Sequence, residues 1–247
     1  RVCESLYENY MGDKSNDNWK QFETYLKQIW MANGIHHHYS EDKIIPAFPQ
    51  EYFVSLVKSV DPGRMPFRDG MAADETLNEI LPVMFDANVM PKRMNQAAGA
   101  DIVATSAVNF YEGVTQKEVE DFYNAMKDPA DNTPVSYGLN SKVVKENGQV
   151  TEQVWMLGGM YDRAIERIIG WLEKAEAVAE NEQQRDIIAT LIDYYRTGDL
   201  KRFDDYSVKW VADTLSRVDF INGFIETYTD PMGMKGTWES LVNFKSE

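Results

Sequence analysis

With a single cysteine, Cys3, in 247 residues, the chain cannot form an internal disulfide. Histidine is scarce too, and all three stand together as His36, His37 and His38. No apolar run approaches the roughly 18 residues that a membrane span needs. Basic charge is in deficit, with 25 Lys and Arg against 40 Asp and Glu and a formal net charge of −15. Such a surface repels phosphate backbones and anionic lipid, so no nucleic acid and no membrane is expected as a partner. It favours cationic or amine-bearing ligands. There is no internal repeat and no low-complexity tract. Gly158-Gly159 lacks both the Gly-Lys-Ser/Thr of a P-loop and a G-x-G-x-x-G spacing, and reads as a simple turn. The chain opens Arg-Val-Cys, without Met or a signal pattern, which suggests a processed or truncated piece. A cytoplasmic location is expected.

What is present is ordinary globular composition, 43% apolar and 26% charged. Residues 1–14 are short and polar, with Tyr7 and Tyr10 as packing anchors. A helix over about 18–32 carries Trp19, Phe22, Leu26, Ile29 and Trp30 at helical spacing, with Ser15 or Asp17 as its cap and Asn33-Gly34 as its stop. Helices follow over 50–60 and 73–85, the latter interrupted or capped around Pro82. Residues 86–113 are the least legible, with a short strand expected at Ile102 to Ala104. Thr115 and Glu118 fit a capping box for a helix to Asp128. Asn147-Gly148 between valine-rich runs predicts a β-hairpin with positive φ at both central positions. Three helices then follow, over about 158–179, 183–196 and from Asp199 onward. The fold class is α+β, predominantly helical, with the hairpin and a further strand sharing one small sheet. Residues 1–113 form a helical part, and 114–247 hold the hairpin, three helices and the strand.

That further strand opens the stretch Phe220 to Gly236, FINGFIETYTDPMGMKG. In a strand, side chains two residues apart share a face, so Glu226 and Tyr228 would stand side by side. The residues alone leave two readings open: a solvated edge glutamate beside a core tyrosine, or a half-buried carboxylate that needs a partner. FIETYTDPMGMKG resembles the signature of the dipeptidyl-peptidase III family, two-lobed zinc exopeptidases in which I-E-x-Y on a strand precedes a D-P-x-G turn. The likeness extends upstream through GGMYDRAIERIIGWLEKAEAVAENEQQRDIIATLIDYYRTGDLKRFDDYSVKWVAD in the family's order, and more weakly to about Val114.

The resemblance implies that the chain is the lower, substrate-binding lobe of a larger peptidase that releases dipeptides from the amino end of short peptides. Its small sheet would be a barrel-like core lining the cleft. The strand around Ile225 to Tyr228, with Ile225 and Thr227, would pair with the peptide backbone, Glu226 would hold the free amine, and Tyr228 would donate to the developing oxyanion. The cofactor would be zinc. The family's zinc site needs H-E-x-x-G-H, which these histidines cannot supply, so the ligands are expected in a zinc-bearing upper lobe outside this chain. The segment by itself is expected to be inactive. Met232 departs from the commoner D-P-F-G turn. His36 and His38 with Glu41 or Asp42 are a weaker metal candidate, and a structural role suits them better. The alternative to a peptidase lobe is a non-catalytic acidic helical module that binds a peptide or a partner protein.

Overall fold

The computed structural model describes residues 1–68 and 70–246. It divides into two compact units, the first made of Arg1–Asn95 with Thr105–Ala107 and the second of Gln96–Ala104 with Val108–Glu247. The division falls ahead of the boundary at 113, because Tyr111 and Glu112 already belong to the sheet of the second unit.

The first unit is helical: α1 (Val2–Asn9), α2 (Asp17–Ala32), α3 (Gln50–Ser59) and α4 (Ala73–Phe85). The expected polar opening is instead helix α1, whose Leu6 is buried while Tyr7 and Tyr10 stack on Trp19. Their core adds Phe22, Phe48, Phe53 and Leu56, each contributing roughly 1.5–3 kcal/mol through burial. The cap of α2 is Asn16, whose side chain accepts from Trp19 N at 2.9 Å, because the Ser15 hydroxyl is already engaged by Asp13. Asn33 ends α2 in the left-handed conformation. Helix α4 runs through Pro82 without interruption; a proline there forfeits one helical hydrogen bond, which three turns of packed helix absorb.

The second unit contains β1 (Tyr111–Glu112), α5 (Gln116–Met126), β2 (Ser141–Glu146), β3 (Gln149–Val154), α6 (Asp162–Ala177), α7 (Glu182–Thr197), α8 (Leu200–Ala212), β4 (Val218–Glu226) and β5 (Thr237–Phe244). The Thr115–Glu118 capping box forms at the start of α5. Ile102 to Ala104 is turn rather than strand: the Asp101 carboxylate accepts from the amides of Val103, Ala104 and Gln116 and curls the backbone around itself. The three-helix run packs Ile165, Ile169, Leu172, Leu191, Tyr194, Tyr195 and Tyr206 around Trp155 and Phe224.

The hairpin and the later strand do not share a sheet. β1, β2 and β3 form one sheet, with β1 parallel to β2, and β4 pairs antiparallel with β5 in another. Helices α6 to α8 carry the chain away from the hairpin, and β4 finds its partner in the segment that returns ten residues later. Among the described residues neither sheet closes into a barrel.

The hairpin turn has Asn147 at φ 51° and Gly148 at φ 81°. Nothing lies within 4 Å of the position a Gly148 side chain would take, so any penalty there is backbone strain alone. Gly148→Val is expected to lower stability by about 2 kcal/mol, since a β-branched residue resists positive φ. A urea midpoint equal to that of the parent would show that the turn sits elsewhere.

Candidate active-site strand and its loop

Strand β4 has one partner in its sheet, so its second edge meets no strand among the described residues. The ladder slips near its end: Phe224 pairs with Trp238 and Glu226 with Thr237, leaving Ile225 as the extra residue of a bulge. Bulges bend a strand and re-aim the side chains beyond them. Thr237 Oγ1 donates to the Glu226 carbonyl at 3.0 Å and fixes that last rung. Phe224 is buried against Trp155 and Tyr195, and Asn222 accepts from the Tyr195 hydroxyl at 2.5 Å, so the strand is anchored on α7 from one side.

Glu226 is half-buried. Among the described residues its carboxylate has no hydrogen-bond or ion-pair partner. Tyr228 lies beyond the strand, in the turn that the Asp230 amide closes onto the Thr227 carbonyl at 3.0 Å, and is 62% exposed. Strand alternation therefore does not extend to Tyr228; the bulge and the turn set its direction instead. Ile225 and Thr227 flank Glu226 and are both half-buried. An apolar cavity of about 510 Å³ abuts the same bulge, walled by Phe110, Trp155, Tyr161, Ile165, Phe224 and Trp238.

The loop from Thr227 to Gly236 is held by a carboxylate. Asp230, 3% exposed, accepts from the amides of Met232 (3.2 Å), Met234 (2.8 Å) and Lys235 (2.8 Å) and from the Tyr111 hydroxyl of β1 (2.8 and 2.9 Å). Burial, reinforced by Asp230, pushes the Tyr111 phenol upward, so it stays a donor. Lys235 is fully buried, and burial lowers its ammonium to about 8 despite the pull of Glu152 and Asp230. Burial and the Glu152 charge likewise raise the phenol of Tyr123. The residues read in sequence marked the Asp230-Pro231 break and the two glycines, but not Lys235, Tyr111 or Tyr123. The one signal was a lysine between Met234 and Gly236, because its partners lie about a hundred residues away in the chain.

His36, His37, Glu41 and Asp42 are each engaged with other protein groups. His36 is buried with Nε2 2.8 Å from the Met90 carbonyl, and His37 Nδ1 accepts from the amides of Tyr39 and Ser40. Glu41 forms a bidentate pair with Arg93, and Asp42 pairs with Lys92. Among the described residues no three His, Cys, Asp or Glu side chains are grouped to hold a metal. Among the same residues no helix is long and apolar enough to cross a membrane.

Fold and site define an α+β module that presents, at the end of an edge strand, a carboxylate without a partner among the described residues. Residues 90–247 match the model of peptidase family M49, and the chain belongs to that family. It is 33% identical to dipeptidyl peptidase 3 of Homo sapiens over 84 residues, which cover 34% of this chain and 11% of that protein. Against dipeptidyl peptidase 3 of Nematostella vectensis the identity is 22% over 259 residues, covering 93% of this chain and 35% of that protein. The solved DPP III from Caldithrix abyssi superposes with a TM-score of 0.46 at 14% identity, over 99% of this chain and 39% of that one. The chain thus spans about a third of the relatives it matches along most of its length.

Proposed function

We propose that this chain is the lower, substrate-holding lobe of a zinc-dependent dipeptidyl peptidase that releases dipeptides from the amino end of short peptides. The observation that carries this reading is the Glu226 carboxylate, half-buried at the bulged end of β4 and unpaired among the described residues. A carboxylate in that setting is stabilised by an incoming ammonium, and a charge-assisted bond of this kind is worth roughly 1.5–3 kcal/mol. The acidic surface, at −15, favours a substrate that brings a positive amino terminus. The second edge of β4, around Ile225 and Thr227, suits pairing with an extended peptide backbone, a mode tolerant of sequence. Tyr228 would offer its exposed phenol to the oxygen that gains charge as the peptide carbonyl is attacked.

Zinc, held by residues outside this chain in an upper lobe, would supply Lewis-acid chemistry when bound. The chain alone would therefore bind without cleaving. Location in the cytoplasm fits this role and is part of the proposal.

The test is the full-length protein with dipeptidyl-2-naphthylamide substrates. Intact dipeptides should be released, N-acetylated analogues should be spared, and Glu226→Gln should raise KM by about 10- to 100-fold with a smaller change in kcat. Release of single amino acids, or indifference to acetylation, would overturn the reading. Binding of peptides without any cleavage would leave a non-catalytic peptide module in its place.

A further inference from the structure

Three consecutive residues fasten the return limb of the loop to three different elements. Lys235 Nζ donates to the Tyr123 hydroxyl on α5 and to Ser141 Oγ at the start of β2, the latter at 3.0 Å. The Gly236 amide donates to the Leu139 carbonyl at 2.8 Å. Thr237 then forms the rung opposite Glu226 and donates its hydroxyl to the Glu226 carbonyl. A single residue, Gly236, therefore separates a fully buried ammonium-bearing lysine from the rung that holds the amine-binding candidate.

The hydrogens in this network have one consistent direction. An ammonium only donates, so both hydroxyls accept from Lys235 and can pass their own hydrogens to Glu152 Oε1 on β3, at 2.7 Å from Tyr123 and 2.5 Å from Ser141. The groups that face the ammonium are Glu152 from β3, Asp230 from the loop, and the rings of Tyr111 and Tyr123 at 5.8 and 4.6 Å. Space for the contact is made by Gly138, at φ 83°. A β-carbon there would lie 2.6 Å from the Tyr123 hydroxyl and 2.8 Å from Lys235 Nζ. Burying a lysine costs desolvation that an apolar side chain of like volume would avoid, so its return lies in specifying one arrangement rather than in raw stability.

We propose that Lys235 is a positioning residue for Glu226: through Gly236 and Thr237 it sets the bulge at which the carboxylate is presented. The proposal rests on reading Glu226 as the residue that holds the peptide amine. Asp230 holds the loop's own shape and ties it to β1 through Tyr111, whereas Lys235 fastens its return limb to α5 and β2.

The experiment uses the full-length protein with Lys235→Met, which keeps the length and removes the charge, and Ser141→Ala, which keeps the lysine and removes one acceptor. In Lys235→Met, amide hydrogen exchange at Glu226 and Gly236 should quicken by about tenfold or more, the scale of one lost hydrogen bond. KM for a free-amine dipeptidyl substrate should rise by about tenfold while kcat stays within about threefold. Ser141→Ala should show the same pattern at smaller size, and it carries the test should Lys235→Met fail to fold. A lowered Tm with KM and exchange at Glu226 unchanged would overturn the proposal and leave Lys235 as packing. Should the parent protein cleave no dipeptidyl substrate, the functional reading fails by itself. Exchange at Glu226 still decides whether Lys235 sets the bulge, and unchanged exchange overturns that too.

Discussion

Replacing Asp230 with alanine is expected to cost the second unit about 3–5 kcal/mol. The carboxylate accepts from three backbone amides of its own loop and from the Tyr111 hydroxyl, and it is almost wholly buried. Alanine would leave all four donors without an acceptor, at roughly 1–3 kcal/mol for each that stays dry. The total falls short of the sum because Gly233 is exposed and Met232 and Met234 are only half-buried, so water can reach part of the loop. Asp230→Asn should fall between, since an amide keeps one acceptor oxygen and turns a donor toward donors. Tyr111→Phe removes a single bond and should cost about 1 kcal/mol. Urea unfolding is the measurement, and the midpoint should fall with the slope unchanged. A loss under about 1 kcal/mol for Asp230→Ala would mean that the loop is held by something else.

Tyr228→Phe should separate chemistry from structure. The phenol is 62% exposed and its hydroxyl has no partner among the described residues, so stability should change by less than about 0.5 kcal/mol. On the proposed function, kcat of the full-length protein should nonetheless fall by about 10- to 100-fold, at or below the range for one lost oxyanion donor, with KM changing less. Glu226→Gln should show the opposite split. The contrast follows from when each proposed interaction would be made: the ammonium is present in the ground state, whereas an oxyanion appears only in the transition state. If Tyr228→Phe kept kcat within about twofold of the parent, the tyrosine would be a bystander on an exposed turn.

The helices were legible because their causes are local. Helix α4 spans Ala73–Phe85, the range expected from the sequence, and Thr115 with Glu118 forms the capping box of α5 within one turn. Asn147-Gly148 turns where the dipeptide says it should, since positive φ is a property of those two residues. The I-E-x-Y and D-P-x-G signature likewise carried the family relationship in contiguous sequence. Strand β5 was not legible: Trp238, Leu241, Val242 and Phe244 follow no strict alternation, and only pairing with β4 makes them a strand.

Tertiary structure alone decided how the strands are shared out and where the candidate site points. The hairpin recruits Tyr111 and Glu112 from some thirty residues upstream, while β4 turns to its own downstream neighbour, so two sheets form where one was expected. The bulge at Ile225 and the turn closed on Thr227 take Tyr228 out of the alternation that would have placed it beside Glu226. Asp230 and Lys235 find their partners 119, 112 and 94 residues away, in Tyr111, Tyr123 and Ser141. Sequence spacing specifies which side chains share a local face. Which distant hydroxyl satisfies a buried charge is settled only in the folded core, where desolvation makes an unpaired charge costly.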